Sequence, residues 1–227
     1  MDLSIVTSMY NEEQNVDNFL GELIETFKKN NNIKTEIIVV DNGSTDNTGK
    51  ICDIYSKKYN NVKVIHAPTP TLGKGNGVSL GIKQTSGKYI ALIDSDLQQD
   101  PRDIIKLLDK IKQKKYDFII GWRKDRKDPL IRKIVSKFYN MLVRIFFNVS
   151  VPDIAGQPRI FRREVIEGKN IISKRWIIEV ELPFIAKKND FKVGYFPVNH
   201  KPRIGGKSNV KFMTIFEMFI DLIKFRW

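Results

Sequence analysis

Short apolar segments alternate along the first half of the chain with longer segments of helical periodicity. The apolar segments are continuous and rich in β-branched residues, which is typical of strands buried on both faces of a sheet. Between the first two of them, apolar residues from Val16 to Phe27 recur at the spacing of one helix face. The predicted strands are Leu3–Thr7, Glu36–Asp41, Val62–Ile65, Ile90–Ile93 and Asp117–Gly121. This alternation predicts βαβ units, and therefore an α/β fold with a mostly parallel sheet flanked by helices.

Two carboxylates, Asp94 and Asp96, follow directly on the predicted strand Ile90–Ile93. Open α/β sheets bind ligands at the carboxyl ends of their strands, and Asp41 and Arg123 end two further strands. Two carboxylates this close need a neighbouring cation or a proton. Their oxygens suit Mg²⁺ or Mn²⁺ together with substrate phosphates. On these residues alone, a solvated acidic turn explains the pair equally well.

A Gly-rich segment that includes Lys74 spans residues 71 to 77 and opens a helix to about Ser86. Backbone N–H groups at such a helix N-terminus can bind phosphate. The segment is not a P-loop, because no Gly-Lys-Ser or Gly-Lys-Thr tripeptide closes it.

The chain is basic, with 39 Lys and Arg against 26 Asp and Glu and a net charge of +13. Basic chains favour nucleic acid, anionic membranes or phosphorylated substrates. The basic residues are scattered, which argues against a dedicated nucleic-acid arm. The single cysteine, Cys52, excludes an internal disulfide and a cysteine metal cluster and fits a reducing compartment. We expect no signal peptide and no membrane-spanning helix, because neither apolar pattern is present.

Seven short stretches carry a further pattern, and they occur in one order over about residues 3 to 209. They are Tyr10–Glu12, Val39–Asp46, Gly73–Gly75, Asp94–Gln98, Ile120–Arg123, Asp153–Gly156 and Arg203–Ser208. Together they resemble the family 2 glycosyltransferases with the GT-A (Rossmann-like) fold. Within that family they are most similar to the polyprenyl-phosphate sugar transferases, the dolichyl-phosphate mannose or glucose synthase group.

The resemblance implies an inverting, metal-dependent transfer of a hexose from a GDP- or UDP-sugar to a polyprenyl phosphate. It implies that residues 1–209 form the catalytic domain and that Asp94, Asp96 and Gln98 hold Mg²⁺ or Mn²⁺. The nucleotide-sugar residues that it implies are Tyr10, Asn11, Glu12, Asp41, Gly43, Lys74, Asp94, Ser95, Asp96 and Arg203. Catalysis is expected to involve Asp94, Asp96, Arg203 and, for a hydroxyl acceptor, Glu181 as general base. The acceptor phosphate is expected near Arg123, Arg132, Ser136 and Asp153.

A helix predicted over residues 129 to 147 carries Arg132 and Ser136, which lie on one face because they are four residues apart. A phosphate between them would gain a charge-assisted contact and a hydroxyl donor. The alternative is an amphipathic helix whose basic residues are only solvated.

The segment 210–227 predicts an amphipathic C-terminal helix that is too short and too charged to span a bilayer. It suits contact with a membrane interface, aided by the basic charge of the chain. Packing against the helix at 129–147 and oligomerisation are the alternatives. We therefore expect a peripheral protein at the cytoplasmic face of a membrane, with no nucleic-acid partner. The chain stops abruptly at Trp227, and relatives often continue into membrane segments, so truncation is a further alternative.

Two other functions fit the sequence. One is a family 2 transferase that adds sugar to the hydroxyl of a saccharide or lipid-linked saccharide, for which Glu181 would be needed as a base. The other is a non-catalytic module that binds a nucleotide or another anion.

Overall fold

The computed structural model describes residues 1–68, 73–124, 130–149, 152–202 and 212–226, without the side chains of 130–132, 212–216 and 226. In chain order the elements are β1 (Leu3–Met9), α1 (Glu13–Lys29), β2 (Thr35–Asp41), α2 (Thr48–Lys58), β3 (Val62–His66), α3 (Lys74–Lys83), β4 (Tyr89–Leu92), α4 (Pro101–Lys112), β5 (Phe118–Arg123), α5 (Leu130–Phe147), β6 (Arg159–Arg162), α6 (Ile178–Lys188), β7 (Val193–Val198) and α7 (Phe212–Arg226).

The strands form one sheet in the order β3-β2-β1-β4-β6-β5-β7. Neighbours among β1 to β4 pair in parallel, as do β5 and β7. The exception is β6, which runs antiparallel between β4 and β5. The sheet is therefore mixed and mostly parallel, which confirms the predicted fold class.

Helices cover both faces of the sheet, as the uninterrupted burial of β2 requires. On one face α1, α2 and α4 pack around Phe19, Leu23 and Leu108. On the other face α3 and α6 pack around Val78 and Leu182. The helices thus form two outer layers, and the sheet lies between them.

A third apolar cluster lies outside these layers and joins α5, α6 and α7. Its buried members include Tyr139, Val143, Phe147 and Leu222. The aromatic ring of Phe219 on α7 contacts both Phe138 and Tyr139 on α5. The predicted C-terminal helix is present, and one side of it packs against α5. Among the described helices, none is long and apolar enough to cross a membrane.

Candidate active site

The polar ends of neighbouring parallel strands meet at one edge of the sheet. Met9 on β1 lies opposite Asp41 on β2, and Val6 lies opposite Leu92 on β4, just before Asp94. The helices that follow β1 and β2 pack on one face of the sheet, whereas α3 packs on the other. Open α/β sheets bind ligands at such a change of face. Asp41 and Asp94 therefore share one edge, as the strand pattern predicted.

Asp41 ends β2 with its carboxylate fixed from two sides. Its Oδ1 accepts a hydrogen bond from the backbone N–H of Ser44 at 3.0 Å. Its Oδ2 lies 3.1 Å from His66 Nδ1, at the register-paired end of β3. The His66 Nε2 in turn lies 3.0 Å from Asp53 Oδ1 on α2. The orientation of the Asp41 carboxylate is thus set before any ligand binds.

The turn that follows β1 is tied to the loop that follows β2. The backbone N–H of Asn11 donates to Ser44 Oγ at 3.0 Å, and the N–H of Thr45 donates to Asn11 Oδ1 at 2.8 Å. The N–H of Glu12 donates to Thr48 Oγ1 at 2.8 Å. These bonds hold Asn11 in the left-handed region, at φ 54°. The predicted Tyr10–Glu12 turn therefore lies beside Asp41.

The structure describes three further predicted donor residues, Tyr10, Gly43 and Ser95. Tyr10 is 37% exposed, so its ring is accessible. Gly43 has φ 80°, a conformation that glycine adopts without strain. Ser95, which stands between Asp94 and Asp96 in the sequence, is buried. Arg203 lies outside the described residues.

Lys74 joins the acidic pair to helix α6. Its Nζ lies 2.6 Å from Asp94 Oδ1 and 2.6 Å from Glu179 Oε1. Burial alone would lower the pKa of Lys74, but Asp94 and Glu179 raise it above its ordinary value. The ammonium group therefore stays charged and neutralises part of the carboxylate charge. Lys74, Asp94 and Glu179 line one pocket, together with Ser8 and Gln157.

The Gly-rich segment before α3 serves close backbone packing. A Cβ atom at Gly75 would lie 2.5 Å from the carbonyl oxygen of Arg175 and 2.8 Å from that of Ser173. The N–H of Asn76 donates to the carbonyl oxygen of Lys174 at 3.0 Å. Protein backbone therefore lies close against this helix N-terminus at Gly75, and phosphate binding by the segment stays a prediction. Lys74, the residue between Gly73 and Gly75, lines the pocket.

The residues implied as metal ligands lie on the loop after β4. Asp96 Oδ1 accepts the N–H of Gln98 at 3.1 Å, a contact that closes a tight turn. The Gln98 side chain donates through Nε2 to the carbonyl oxygen of Lys201 at 3.3 Å, and the Lys201 N–H donates to the Gln98 carbonyl at 2.9 Å. The segment after β7 thus closes over this loop. No cluster of three or more His, Cys, Asp or Glu residues with metal-binding geometry occurs among the described residues.

Arg159 supports the pocket through its contacts with Glu179, although no role for it was predicted from the sequence. Its side chain is fully buried and donates to the carbonyl oxygens of Gly156, at 3.0 Å, and Glu179, at 2.8 Å. It also contacts the carbonyl oxygen of Ile154 and the carboxylate of Glu179. Gln157 Nε2 lies 3.4 Å from both carboxylate oxygens of Glu179. Arg159 therefore fastens the Asp153–Gly156 loop to α6. Its neighbours in the sequence would predict a strand residue, so no local pattern could have identified it.

Glu181 is engaged away from the pocket. Its carboxylate accepts the backbone N–H groups of Ile172 at 2.8 Å and Ser173 at 2.9 Å, and its side chain is buried. The α6 carboxylate that lines the pocket is Glu179 instead. Glu181 thus fixes the chain segment before α6, and its expected role as a general base for a hydroxyl acceptor stays a prediction.

The predicted acceptor residues are only partly described. Arg123 at the end of β5 forms a bidentate pair with Asp153, with Nε–Oδ2 at 2.7 Å and Nη2–Oδ1 at 2.9 Å. Asn140 on α5 bonds the same loop, donating to the carbonyl oxygen of Pro152 and accepting the N–H of Ile154, each at 3.1 Å. The structure therefore places α5 against the Asp153 loop.

Two further acceptor candidates lie on α5. Ser136 is half-buried on this helix. The backbone of Arg132 lies in the same helix, but its side chain is outside the described residues.

The outer face of α5 is apolar over its whole described length. Four large side chains are exposed at helical spacing, and we call them the α5 stripe: Ile134, Phe138, Met141 and Ile145, with exposures of 58%, 50%, 46% and 63%. Lys137 and Arg144 are exposed beside it. Such a combination of apolar and basic side chains is typical of helices that lie on anionic membranes.

The sequence model described as glycosyl transferase family 2 matches residues 4–168. Over 230 residues the chain is 29% identical to a dodecaprenyl-phosphate galacturonate synthase from Rhizobium johnstonii, covering 98% of this chain and 66% of that protein. It is 27% identical to an undecaprenyl-phosphate 4-deoxy-4-formamido-L-arabinose transferase from Photorhabdus laumondii, covering 97% of this chain and 66% of that protein. The chain thus spans just under two thirds of the length of these relatives.

Among solved structures, the chain is similar to glucosyl-3-phosphoglycerate synthase from Mycobacterium tuberculosis, in a complex with Mn²⁺, uridine diphosphate and phosphoglyceric acid. The TM-score is 0.76 at 17% identity, covering 99% of this chain and 78% of that one. At this identity the match shows a shared fold, which agrees with the predicted GT-A architecture.

Proposed function

We propose that this chain, which belongs to glycosyl transferase family 2, moves a hexose from a nucleotide diphosphate sugar to a polyprenyl phosphate. The observation that carries the proposal is the convergence at one sheet edge of Asp41, the Lys74–Asp94 pair and the Arg123–Asp153 pair. Their order along the edge supports the proposal that a base, a diphosphate and an acceptor phosphate bind there side by side. The two curated relatives named above carry polyprenyl-phosphate sugar transfer in their names.

Asp41 is proposed to recognise the base of the donor. A carboxylate only accepts hydrogen bonds, and uracil and guanine each carry a ring N–H on their pairing edge, where adenine has an unprotonated ring nitrogen. The Tyr10–Glu12 turn and Gly43 complete the walls of this subsite. The proposal therefore covers UDP- and GDP-sugars, in agreement with the resemblance.

The donor diphosphate is proposed to bind beside Asp94 and Asp96 with a divalent cation. The chemistry of the residues fits, since two carboxylates and the amide of Gln98 are the hard oxygen ligands that Mg²⁺ and Mn²⁺ take. Asp94, Asp96 and Gln98 would hold the ion, which supplies positive charge to the leaving diphosphate. The Mn²⁺ in the mycobacterial synthase supports a divalent metal. Arg203 is proposed to reach the diphosphate from the loop after β7.

The acceptor phosphate is proposed to attack the anomeric carbon of the donor directly. A bond forms between a phosphate oxygen and that carbon while the bond from the carbon to the diphosphate oxygen breaks. The nucleoside diphosphate leaves with the bonding electrons, and the anomeric configuration inverts. Because a phosphate is already anionic, the attack needs no strong base. Arg123, Arg132, Ser136 and Asp153 are proposed to hold it.

Membrane contact is proposed for the α5–α7 pair at the cytoplasmic face. The α5 stripe supplies about 2 kcal/mol of transfer free energy for each large apolar side chain that a bilayer buries. Lys137 and Arg144 add attraction to anionic headgroups. A prenyl chain attached to a phosphate beside α5 would then lie in the same bilayer that the α5 stripe enters.

A thermal-shift panel tests the donor assignment. The protein is heated with UDP, GDP and ADP, each with Mn²⁺, and the Asp94→Asn variant is the matched control. We expect UDP or GDP to raise the melting temperature of the wild type only when Mn²⁺ is present. Equal shifts with ADP, or an unchanged Mn²⁺ requirement in Asp94→Asn, would contradict the assignment.

A further inference from the structure

We propose that His66 is a positioning residue that holds Asp41 in the orientation that reads the nucleotide base. The inference rests on the proposed function, because it concerns a residue that supports Asp41 in the proposed base subsite. His66 does not contact the ligand itself in this proposal. It acts through the contacts Asp41–His66–Asp53, which join the ends of β2 and β3 to α2.

The His66 ring lies between two carboxylates, one on each ring nitrogen. Nδ1 lies 3.1 Å from Asp41 Oδ2, and Nε2 lies 3.0 Å from Asp53 Oδ1. A carboxylate accepts and cannot donate, so both contacts are hydrogen bonds only when both ring nitrogens carry a proton. The arrangement therefore selects the imidazolium ion, and the hydrogen bonds to Asp41 and Asp53 raise the pKa of His66.

The surrounding backbone is shaped to fit this pair. Gly49 lies in the first turn of α2, next to both groups. A Cβ atom at this position would lie 2.5 Å from Asp41 Oδ2 and 3.2 Å from His66 Cε1. Any larger residue would have to push the two groups apart. Cys52 lies on the same helix, and burial, with Asp41 and Asp53, raises its pKa to about 12, so it stays neutral. The charged groups that face the ring among the described residues are thus Asp41 from β2 and Asp53 from α2.

The two contacts on Asp41 define what remains for a ligand. Each carboxylate oxygen offers two acceptor positions. Among the described residues, the Ser44 N–H occupies one position on Oδ1 and His66 occupies one on Oδ2. The carboxylate plane is fixed by these two bonds, so the other positions keep a constant direction. When His66 loses a proton it can donate to only one of its two carboxylates, and Asp41 loses part of this restraint.

Two substitutions separate positioning from simple structural support. In His66→Asn the amide nitrogen replaces Nδ1, so it can still donate to Asp41, but it does not titrate. In His66→Gln the amide nitrogen replaces Nε2, so it reaches toward Asp53 and leaves Asp41 without this donor. Both variants remove the ring, so a difference between them cannot come from loss of packing alone.

Calorimetric titration with UDP and with GDP, each with Mn²⁺, gives the main readout between about pH 6 and pH 8.5. Whichever of the two nucleotides binds, we expect the affinity of the wild type for it to fall as the pH rises. His66→Asn should bind about as tightly as the wild type at low pH, with no such dependence. His66→Gln should bind the nucleotide roughly 3- to 10-fold more weakly at low pH, because Asp41 loses one hydrogen bond.

Proton NMR of the histidine Cε1–H signals gives an independent readout, because the chain has only two histidines. The His66 signal should titrate above the ordinary histidine pKa, and Asp53→Asn should lower this value. Asp109→Asn, which removes an exposed carboxylate on α4, should leave it unchanged.

The possible results distinguish a failure of the proposed function from a failure of the proposed role of His66. If the wild type binds neither nucleotide, the proposed function fails and this inference fails with it. If the wild type binds and Asp41→Asn weakens binding, but His66→Gln binds like the wild type at every pH, only the inference on His66 is overturned. Equal losses in His66→Asn and His66→Gln would also overturn it, since they would indicate packing alone.

Discussion

Replacing Lys74 by Met tests whether the buried ion pairs of the pocket hold α3, the loop after β4 and α6 together. The substitution keeps the length of the side chain and removes its charge. It leaves Asp94 and Glu179 without the ammonium group that lies 2.6 Å from each of them. Removing one partner of a buried ion pair typically destabilises a protein by about 3–5 kcal/mol.

The structure indicates a value near the lower end of that range. The side chain of Asp94 is 33% exposed and can be solvated, and Glu179 retains its contact with Arg159. We therefore expect Lys74→Met to lower the free energy of unfolding by about 3 kcal/mol. For a domain of this size that corresponds to a fall of about 6–12 °C in melting temperature.

Urea denaturation monitored by circular dichroism measures this change. Lys83→Met, an exposed lysine on the same helix, is the matched control and should stay within about 0.5 kcal/mol of the wild type. The double variant Lys74→Met with Glu179→Gln should lose less than the sum of the single losses, because it removes both charges of one pair. A Lys74→Met protein as stable as Lys83→Met would refute the reasoning.

Three further predictions concern other parts of the molecule. Burial alone would raise the pKa of Glu36, but hydrogen bonds from Ser4, Ser86 and Lys63 lower it from 4.5 to about 2. The stability that the Glu36 carboxylate contributes is therefore present above pH 4.5 and is lost as the pH falls towards 2. The Glu36→Gln variant should therefore lose less stability than the wild type between pH 4.5 and pH 2. If the free energy of unfolding fell equally with pH in both proteins, the lowered pKa of Glu36 would be contradicted. Arg123→Lys replaces a bidentate contact to Asp153 by a single one, so the KM for polyprenyl phosphate should rise about tenfold while the KM for the donor stays unchanged. Phe138→Asn should reduce co-sedimentation with anionic vesicles roughly tenfold, whereas Ile54→Asn, at an exposed apolar residue on α2, should not change it.

The fold was largely predictable because its signal is local. Continuous apolar runs identified the parallel strands β1 to β5, and helical periodicity identified the helices between them. Pro101 marked the start of α4, where Asp100 accepts the N–H of Arg102 at 2.9 Å. The antiparallel direction of β6 was not predictable in this way, because it depends on pairing with β4 and β5.

The position of a site residue was predictable where a charged residue directly follows a buried strand. Asp41 and Asp94 fall in this class, because an acid after a buried strand lies at the sheet edge. Arg159 and Glu179 were missed because their role comes from contacts between distant segments. Which of the two α6 carboxylates lines the pocket was not predictable either, since a shift of two positions on a helix turns a side chain to a different face.

The glycines before α3 illustrate a pattern with two physical causes. Glycine permits phosphate to approach a backbone, and it equally permits another backbone segment to approach. At Gly75 the neighbouring atoms are the carbonyl oxygens of Ser173 and Arg175. Only the three-dimensional packing distinguishes the two causes.

The central claim is that the hexose is transferred to a lipid phosphate, and analysis of the reaction product tests it most directly. The protein is incubated with Mn²⁺, a UDP- or GDP-hexose and a short polyprenyl phosphate, and the product is examined by mass spectrometry and by NMR of the anomeric proton. The account predicts a polyprenyl-phosphate hexose of inverted anomeric configuration, and little product from Asp94→Asn. Transfer to a saccharide hydroxyl but not to the lipid phosphate, or a product of retained configuration, would contradict it.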